Sequence, residues 1–527
     1  MCALARLQDP APGDRWHAGG GFVQRALCTA SLQSLKRAAK RGRHHGAMQC
    51  KKNPRPWRAG LLPGGGLALA LLLGGCAQLV GPYERPAAAL PRGLAADEPA
   101  ADLDRLPWRQ VYTEPRLQQL IALSLAQNRD LRVAALNVER ARALYQVQEA
   151  GTQPNLALGA SATRADTGSR YSASLGLAAY ELDFFGRVRQ LNESALQSFL
   201  QSEAARQSVR LSLVAETANA WLGLAADQAR LVLAERTLAS REQSLTLTQR
   251  RYELGAIGGL PLAQARTARD SARADLASAR AQIALDRHAL ELLLGTALPE
   301  ALLPRAEDLG PASSPLLPAL PAAVPSSVLQ RRPDVLAAEH ALQAAHADVG
   351  VARAARFPRI SLTGSLGSAS SELSALFDRG SWSFGPSLSL PLLDGGAATA
   401  QARAAEQARA IALAQYDKAL QQAFREVADG LSQAQSLDER LQAQQALYAS
   451  ARRQLDLAEA SYRAGATGQL ELLDAQRSLD AAAQGLITLQ QSLQSNRIGL
   501  YKALGGGWQT ESQEAATVAS PAPQTTP

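Results

Sequence analysis

Apolar residues return at every seventh position along much of this chain. Leu231, Leu238, Leu245 and Tyr252 mark one such stretch, and Leu441, Tyr448, Leu455 and Tyr462 another. A seven-residue repeat is a period of 3.5, which predicts long helices packed on neighbours in the coiled-coil manner. No proline falls between Pro154 and Pro261 or between Pro391 and Pro521. As one helix, residues 187–254 would reach about 100 Å at about 1.5 Å per residue. That length is far beyond the usual globular helix and calls for a spanning role.

Four other segments alternate with period two. They are Leu156/Leu158/Ala160/Ala162, Ala173/Leu175/Leu177/Ala179, Ile360/Leu362/Gly364/Leu366 and Trp382/Phe384/Pro386/Leu388/Leu390/Leu392, with mostly Ser, Thr, Gly and Ala between. Runs of about nine to eleven residues match a tilted transmembrane strand. Beyond residue 76 there is no 18-residue apolar run, so a membrane would be crossed by a barrel. Four strands cannot close one. Two chains would give eight strands and a filled interior, and three would give twelve and an aqueous lumen, so a trimer is the smallest conducting arrangement. Two plainer readings stay open: a fibrous stalk accounts for the heptads, and a soluble two-hairpin sheet accounts for the strands.

The pattern occurs twice. Gly255 and Gly465, Leu262 and Leu472, Leu276 and Leu486, and Leu290 and Leu500 share an offset of 210; Asp130 and Pro154 match Asp334 and Pro358 at 204. A dozen such matches in order indicate an internal duplication. Each copy is expected to run as a helix (116–151, 327–357), two strands and two long helices.

Charge changes the picture once it is located. The formal net charge is +8, but residues 1–75 hold twelve Lys/Arg and two Asp/Glu, which leaves about −2 for the rest. A basic nucleic-acid-binding face is therefore not expected. From Met48 the chain has a basic stretch (Lys51, Lys52, Arg55, Arg58) and an apolar one (Leu61 to Leu73), the pattern of a secretory signal peptide. Leu73-Gly74-Gly75-Cys76 resembles a bacterial lipobox, making Cys76 the expected lipidation site. Ala77 stands where an aspartate would be expected to retain a lipoprotein at the inner membrane, so by that resemblance the expected destination is the outer one. All four cysteines lie at or before position 76, so no internal disulfide is expected afterwards. Residues 1–47 lack apolar periodicity, and translation is expected to begin at Met48; a genuine Arg-rich extension is the alternative.

Catalytic chemistry finds little to work with. After residue 76 the only histidines are His288, His340 and His346, and the last two, six apart, do not share a helix face. There is no G-x-x-x-x-G-K-[ST] phosphate loop. Neither an enzyme, a cofactor nor a metal is expected.

The order of lipobox, strand pair, long helix pair and a repeat of both resembles the TolC-like outer membrane factors, in particular their lipoprotein branch. The resemblance is carried by 461–477 (SYRAGATGQLELLDAQR), by 251–266, by 180–187 (YELDFFGR), by 391–396 (PLLDGG) and by 331–334 (RRPD). It covers 103–508. It implies a mainly α fold with a membrane β-barrel: a homotrimer whose twelve-strand barrel continues as a twelve-helix periplasmic α-barrel with an equatorial belt. It also implies an outer membrane efflux channel working with a periplasmic adaptor and an inner-membrane pump, proton-driven pumps of the RND type being the usual partners in that branch, and contact with outer membrane lipids. By the same resemblance Leu470 and Asp474 narrow the pore at a periplasmic gate, while Tyr462 and Arg477 join neighbouring helices. The helix turns at Gly255, Gly258, Gly465 and Gly468 would meet the adaptor. A type I protein secretion duct and a non-conducting periplasmic lipoprotein are the alternatives. The expected organisation is an upstream extension (1–47), a signal peptide (48–75), a lipidated segment (76–114), a first repeat (115–298, strands near 155–163 and 172–182), an equatorial segment (299–326), a second repeat (327–508, strands near 359–367 and 382–393) and a disordered tail (509–527).

Overall fold

A computed structural model describes residues 79–87, 106–309, 317 and 326–507; all lie in the unit formed by residues 73–527. Cys76, the segment 1–47 and the tail 509–527 lie outside the described residues.

A four-residue helix α1 (Trp108–Val111) leads to α2 (Pro115–Gln127) and α3 (Arg129–Ala150). Strands β1 (Asn155–Ala165) and β2 (Gly168–Leu182) follow, then α4 (Arg187–Glu253) and α5 (Gly259–Leu294). The same order returns in α6 (Pro333–Ala354), β3 (Arg359–Ser370), β4 (Gly380–Ser389), α7 (Ala397–Arg463) and α8 (Gln469–Ala503). Helices α4 and α7 are each 67 residues, about 100 Å at the usual rise. Each starts on a left-handed glycine, Gly186 or Gly396. An aspartate caps each one: Asp183 accepts the N–H groups of Val188 (3.1 Å) and Arg189 (2.9 Å), and Asp394 those of Gly396 (2.8 Å) and Ala398 (2.7 Å).

The sequence pattern predicts one helix over 116–151, and the structure breaks it at Asn128. There the backbone is extended, the Asn128 side chain accepts the N–H of Leu131 (2.9 Å), and its amide donates to the carbonyl of Leu293 (2.9 Å). One residue thus starts α3 and ties it to the end of α5. Arg332 sits at the matching break in the second repeat and donates to the carbonyl of Ala503 (3.0 Å).

The strands form one antiparallel sheet in the order β1-β2-β3-β4. Its register puts Leu156 opposite Leu177, Leu158 opposite Leu175, Leu175 opposite Leu366, and Leu366 opposite Trp382, so all lie on one face. The other face pairs Ser161 with Ser172, Ser361 with Ser387 and Ser365 with Ser383, hydroxyl to hydroxyl at 2.7–2.9 Å. A bulge between Leu177 and Tyr180 shifts the alternation, bringing Tyr180 and Leu182 opposite Leu362 and Ile360. β4 ends at Ser389, opposite Arg359 where β3 begins, rather than near 393.

Two larger apolar clusters among the described residues knit the helices together. One surrounds Trp221 of α4, with Leu117, Leu120 and Ile121 of α2, Leu290 and Leu294 of α5, and Tyr501 of α8. The other joins α6 to α7 through Val335, Leu342, Tyr416 and Leu420. No helix among the described residues is long and apolar enough to cross a membrane.

Candidate functional site

The helical hairpins α4–α5 and α7–α8 close through turns of the same build. Gly255 (φ +69°) and Gly465 (φ +74°) each occupy the left-handed region just after the preceding helix. The N–H of Ala256 donates to the carbonyl of Arg251 and that of Ala466 to Ser461, both at 2.9 Å; Gly255 and Gly465 donate to Tyr252 and Tyr462. This is the Schellman arrangement, in which glycine avoids the Cβ penalty. Gly258 and Gly468 are the extended N-caps of α5 and α8. A Cβ on Gly465 would meet nothing within 4 Å, so the constraint there is backbone conformation alone.

Of the four residues assigned to a gate, three share one face of α8. Leu470 is 60% exposed. Asp474, one turn on, accepts from the Arg477 guanidinium at 2.9 Å, and both side chains are exposed. Within this chain their bond joins two positions of one helix. Tyr462 is elsewhere: it is buried with Leu455, Leu472 and Ala475, and the Arg251 guanidinium lies 4.5 Å from its ring centre. That cation–π contact links the ends of α4 and α7. In the first repeat, Gln264 and Leu254 stand at the positions of Asp474 and Ala464, so only the second turn carries the acid.

Sequence reasoning missed a polar seam between α4 and α8. Arg241, 5% exposed, donates to Gln476 and Asp480. Thr237 donates to Asp480 (3.1 Å), and Gln476 and Gln469 donate to Ser240 (3.4 Å) and Ser244 (3.3 Å). Burial lowers the pKa of Arg241, opposed by Asp480 and assisted by Arg477; burial raises that of Asp480, opposed by Arg241. The available signal was the run Thr237, Arg241, Ser244, Thr248, polar residues at coiled-coil spacing of four, three and four. The seam joins the two hairpins by hydrogen bonds where apolar packing would otherwise be expected.

His340 Nδ1 donates to Gln197 Oε1 (2.7 Å) and His346 Nε2 to the carbonyl of Gly81 (3.0 Å). Among the described residues no group of three or more His, Cys, Asp or Glu side chains could hold a metal ion.

The sequence profile described as outer membrane efflux protein matches residues 120–296 and 324–506, once per repeat. The chain is 43% identical over 475 residues to the probable efflux pump outer membrane protein TtgC of Pseudomonas putida, covering 86% of this chain and 96% of that one. To outer membrane protein OprJ of Pseudomonas aeruginosa it is 40% identical over 459 residues, covering 84% and 95%. Among solved structures, CusC superposes with a TM-score of 0.74 at 37% identity, covering 82% of this chain and 100% of that chain. The open state of the Neisseria gonorrhoeae MtrE outer membrane channel gives 0.73 at 35% identity, covering 82% and 99%. The chain belongs to the outer membrane efflux protein family.

Proposed function

We propose that this protein is the outer membrane channel of a tripartite efflux system, a passive conduit for small molecules that works with a periplasmic adaptor and an inner-membrane pump of the RND type. The observation that carries the reading is the sheet. Its apolar face exposes Leu158 (81%), Trp382 (78%) and Phe384 (64%), and among the described residues β1 and β4 each keep one unpaired edge. Exposed apolar surface of this kind suits lipid, and free strand edges in lipid must be satisfied by another strand. Four strands from each of three chains would close a twelve-strand barrel with an aqueous lumen, the homotrimer we propose. The long helices would continue it into the periplasm as a twelve-helix α-barrel, with the inter-repeat segment in an equatorial belt.

In this reading Cys76 carries lipid, the turns at Gly255, Gly258, Gly465 and Gly468 meet the adaptor, and Leu470 and Asp474 constrict the tip. Ringed by three-fold symmetry, the carboxylates would attract cations and the leucines would exclude water. The protein does no covalent chemistry, and transport energy comes from the pump. The assembly is tested by the mass of the purified protein in detergent. Three chains per particle, with an acylated Cys76 at the mature N-terminus, are expected; a stable monomer or dimer would overturn the trimer, and an unmodified N-terminus elsewhere the anchor. Deleting the gene should sensitise the cell to exported compounds.

A further inference from the structure

The duplication builds the same groove twice, between α3 and α4 and between α6 and α7, and the two have diverged in chemistry. In the second repeat Tyr416 and Leu420 are buried in the apolar cluster, Tyr83 packs on it, and Arg85 pairs with Glu339 at 2.6 Å. The chain's own segment 79–87 therefore covers that groove.

Among the described residues nothing covers the first-repeat groove. A cavity of about 550 Å³ at the head of α3 is lined by Arg129, Arg132, Arg206 and Arg210. A second, of about 640 Å³, shares Arg206 and runs toward the sheet along Ala141, Leu144, Tyr145 and Ala195. Under the offsets of 204 and 210, the four arginines correspond to Pro333, Leu336, Tyr416 and Leu420. The cationic lining thus belongs to one copy alone.

Among the described residues no carboxylate lines either cavity. Glu203, nearby on α4, faces Arg142 at 3.8 Å, and Asp130 is exposed outside the lining. The Arg206 Nε is buried and meets no acceptor among the described residues. Arg210 has a partner of its own, so the case rests on the other three. The α3 N-terminus is already capped by Asn128, which leaves the guanidinium groups as donors. Like charges gathered in a cavity repel one another, and an oxyanion relieves that repulsion while accepting forked hydrogen bonds. Each volume is in the range of small-ligand sites, about 300–1,000 Å³.

We propose that this groove binds an acidic amphiphile. Arg129, Arg132 and Arg206 hold its phosphate or carboxylate head, and its apolar body lies along Ala141, Leu144, Tyr145 and Ala195 toward the sheet. From the start of α4, Arg206 is about 28 Å down the helix, so the head sits well away from the strands and the tail points back to them.

The test titrates the purified full-length protein, in a neutral detergent, with monododecyl phosphate and separately with inorganic phosphate. Saturable binding of dodecyl phosphate is expected, at least tenfold tighter than inorganic phosphate, and at least tenfold weaker in Arg206→Gln and in Arg132→Gln. Unchanged helix content and particle mass establish that the variants fold. An acidic phospholipid retained through purification supports a lipid source, and dodecyl phosphate binding without such retention supports a soluble one. Absence of saturable binding to the wild type, equal affinity for inorganic phosphate, or binding untouched by both substitutions would overturn the proposal.

Discussion

Arg241 illustrates how one side chain can set the behaviour of a helix pair. Its guanidinium is withdrawn from water between α4 and α8 and answered by Gln476 and Asp480. Removing one member of a buried pair leaves the other charge stranded, at about 3–5 kcal/mol when burial is complete. The Asp480 side chain keeps 27% of its exposure, so Arg241→Ala should fall below that range. We expect a clear drop in apparent Tm for Arg241→Ala and a smaller one for Asp480→Asn, which keeps a hydrogen-bonding group. Equal, negligible changes would show that the seam contributes no stability.

Asp286 of α5 gives a pH dependence. Burial, helped by Asp227 on α4, raises its pKa from 3.8 to about 6, and Gln282 donates to it at 2.8 Å. A carboxyl with a raised pKa holds its proton more tightly when folded, so the stability tied to that proton is present at low pH and is lost as pH rises through about 6. Asp286→Asn keeps the neutral form permanently. It should raise the apparent Tm above pH 6 and change it little near pH 4, and the opposite order would contradict the assignment.

At the scale of elements, the hairpin turn is the simplest unit to perturb. Gly465 holds φ +74° with open space around it, so a side chain there strains only the backbone, by about 1–2 kcal/mol. Gly465→Val should leave the particle mass unchanged while abolishing drug resistance in cells, if this turn meets the adaptor. Full resistance with normal protein levels would remove the turn from the contact.

Elements were legible in the sequence to different degrees, for physical reasons. The 67-residue helices follow from uninterrupted heptads and missing prolines, and the strands from a strict two-residue period. The break at Asn128 was not legible, because it depends on a carbonyl of Leu293 far along the chain. The β2 bulge was hidden because alanines flank it and blur the alternation. Among candidate site residues, Leu470, Asp474 and Arg477 share a helix face as their spacing of four and three implies, whereas burial of Tyr462 under Arg251 depends on a second helix. The seam was hidden because Thr237, Arg241, Ser244 and Thr248 are interleaved with the leucine heptads, and their pairing depends on α8.

The whole molecule combines a four-stranded sheet whose apolar face and two edges ask for lipid and further strands with helices about 100 Å long. The proposed channel accounts for both features together, with the sheets forming the membrane wall and the helices the conduit below it. A passive tube open to the periplasm would leak, so its far end must stay narrow until a partner engages it. The exposed Leu470, Asp474 and Arg477 lie close to that end, beside the α7–α8 turn.

Single-channel conductance of the purified protein in planar bilayers tests this most directly. Wild-type protein should give discrete steps of low conductance, Asp474→Ala and Arg477→Ala should give larger ones, and Gln264→Ala, at the matching place in the first repeat, should resemble wild type. Absence of steps from any of the four would contradict the channel itself, and equal steps from all four would place the constriction elsewhere.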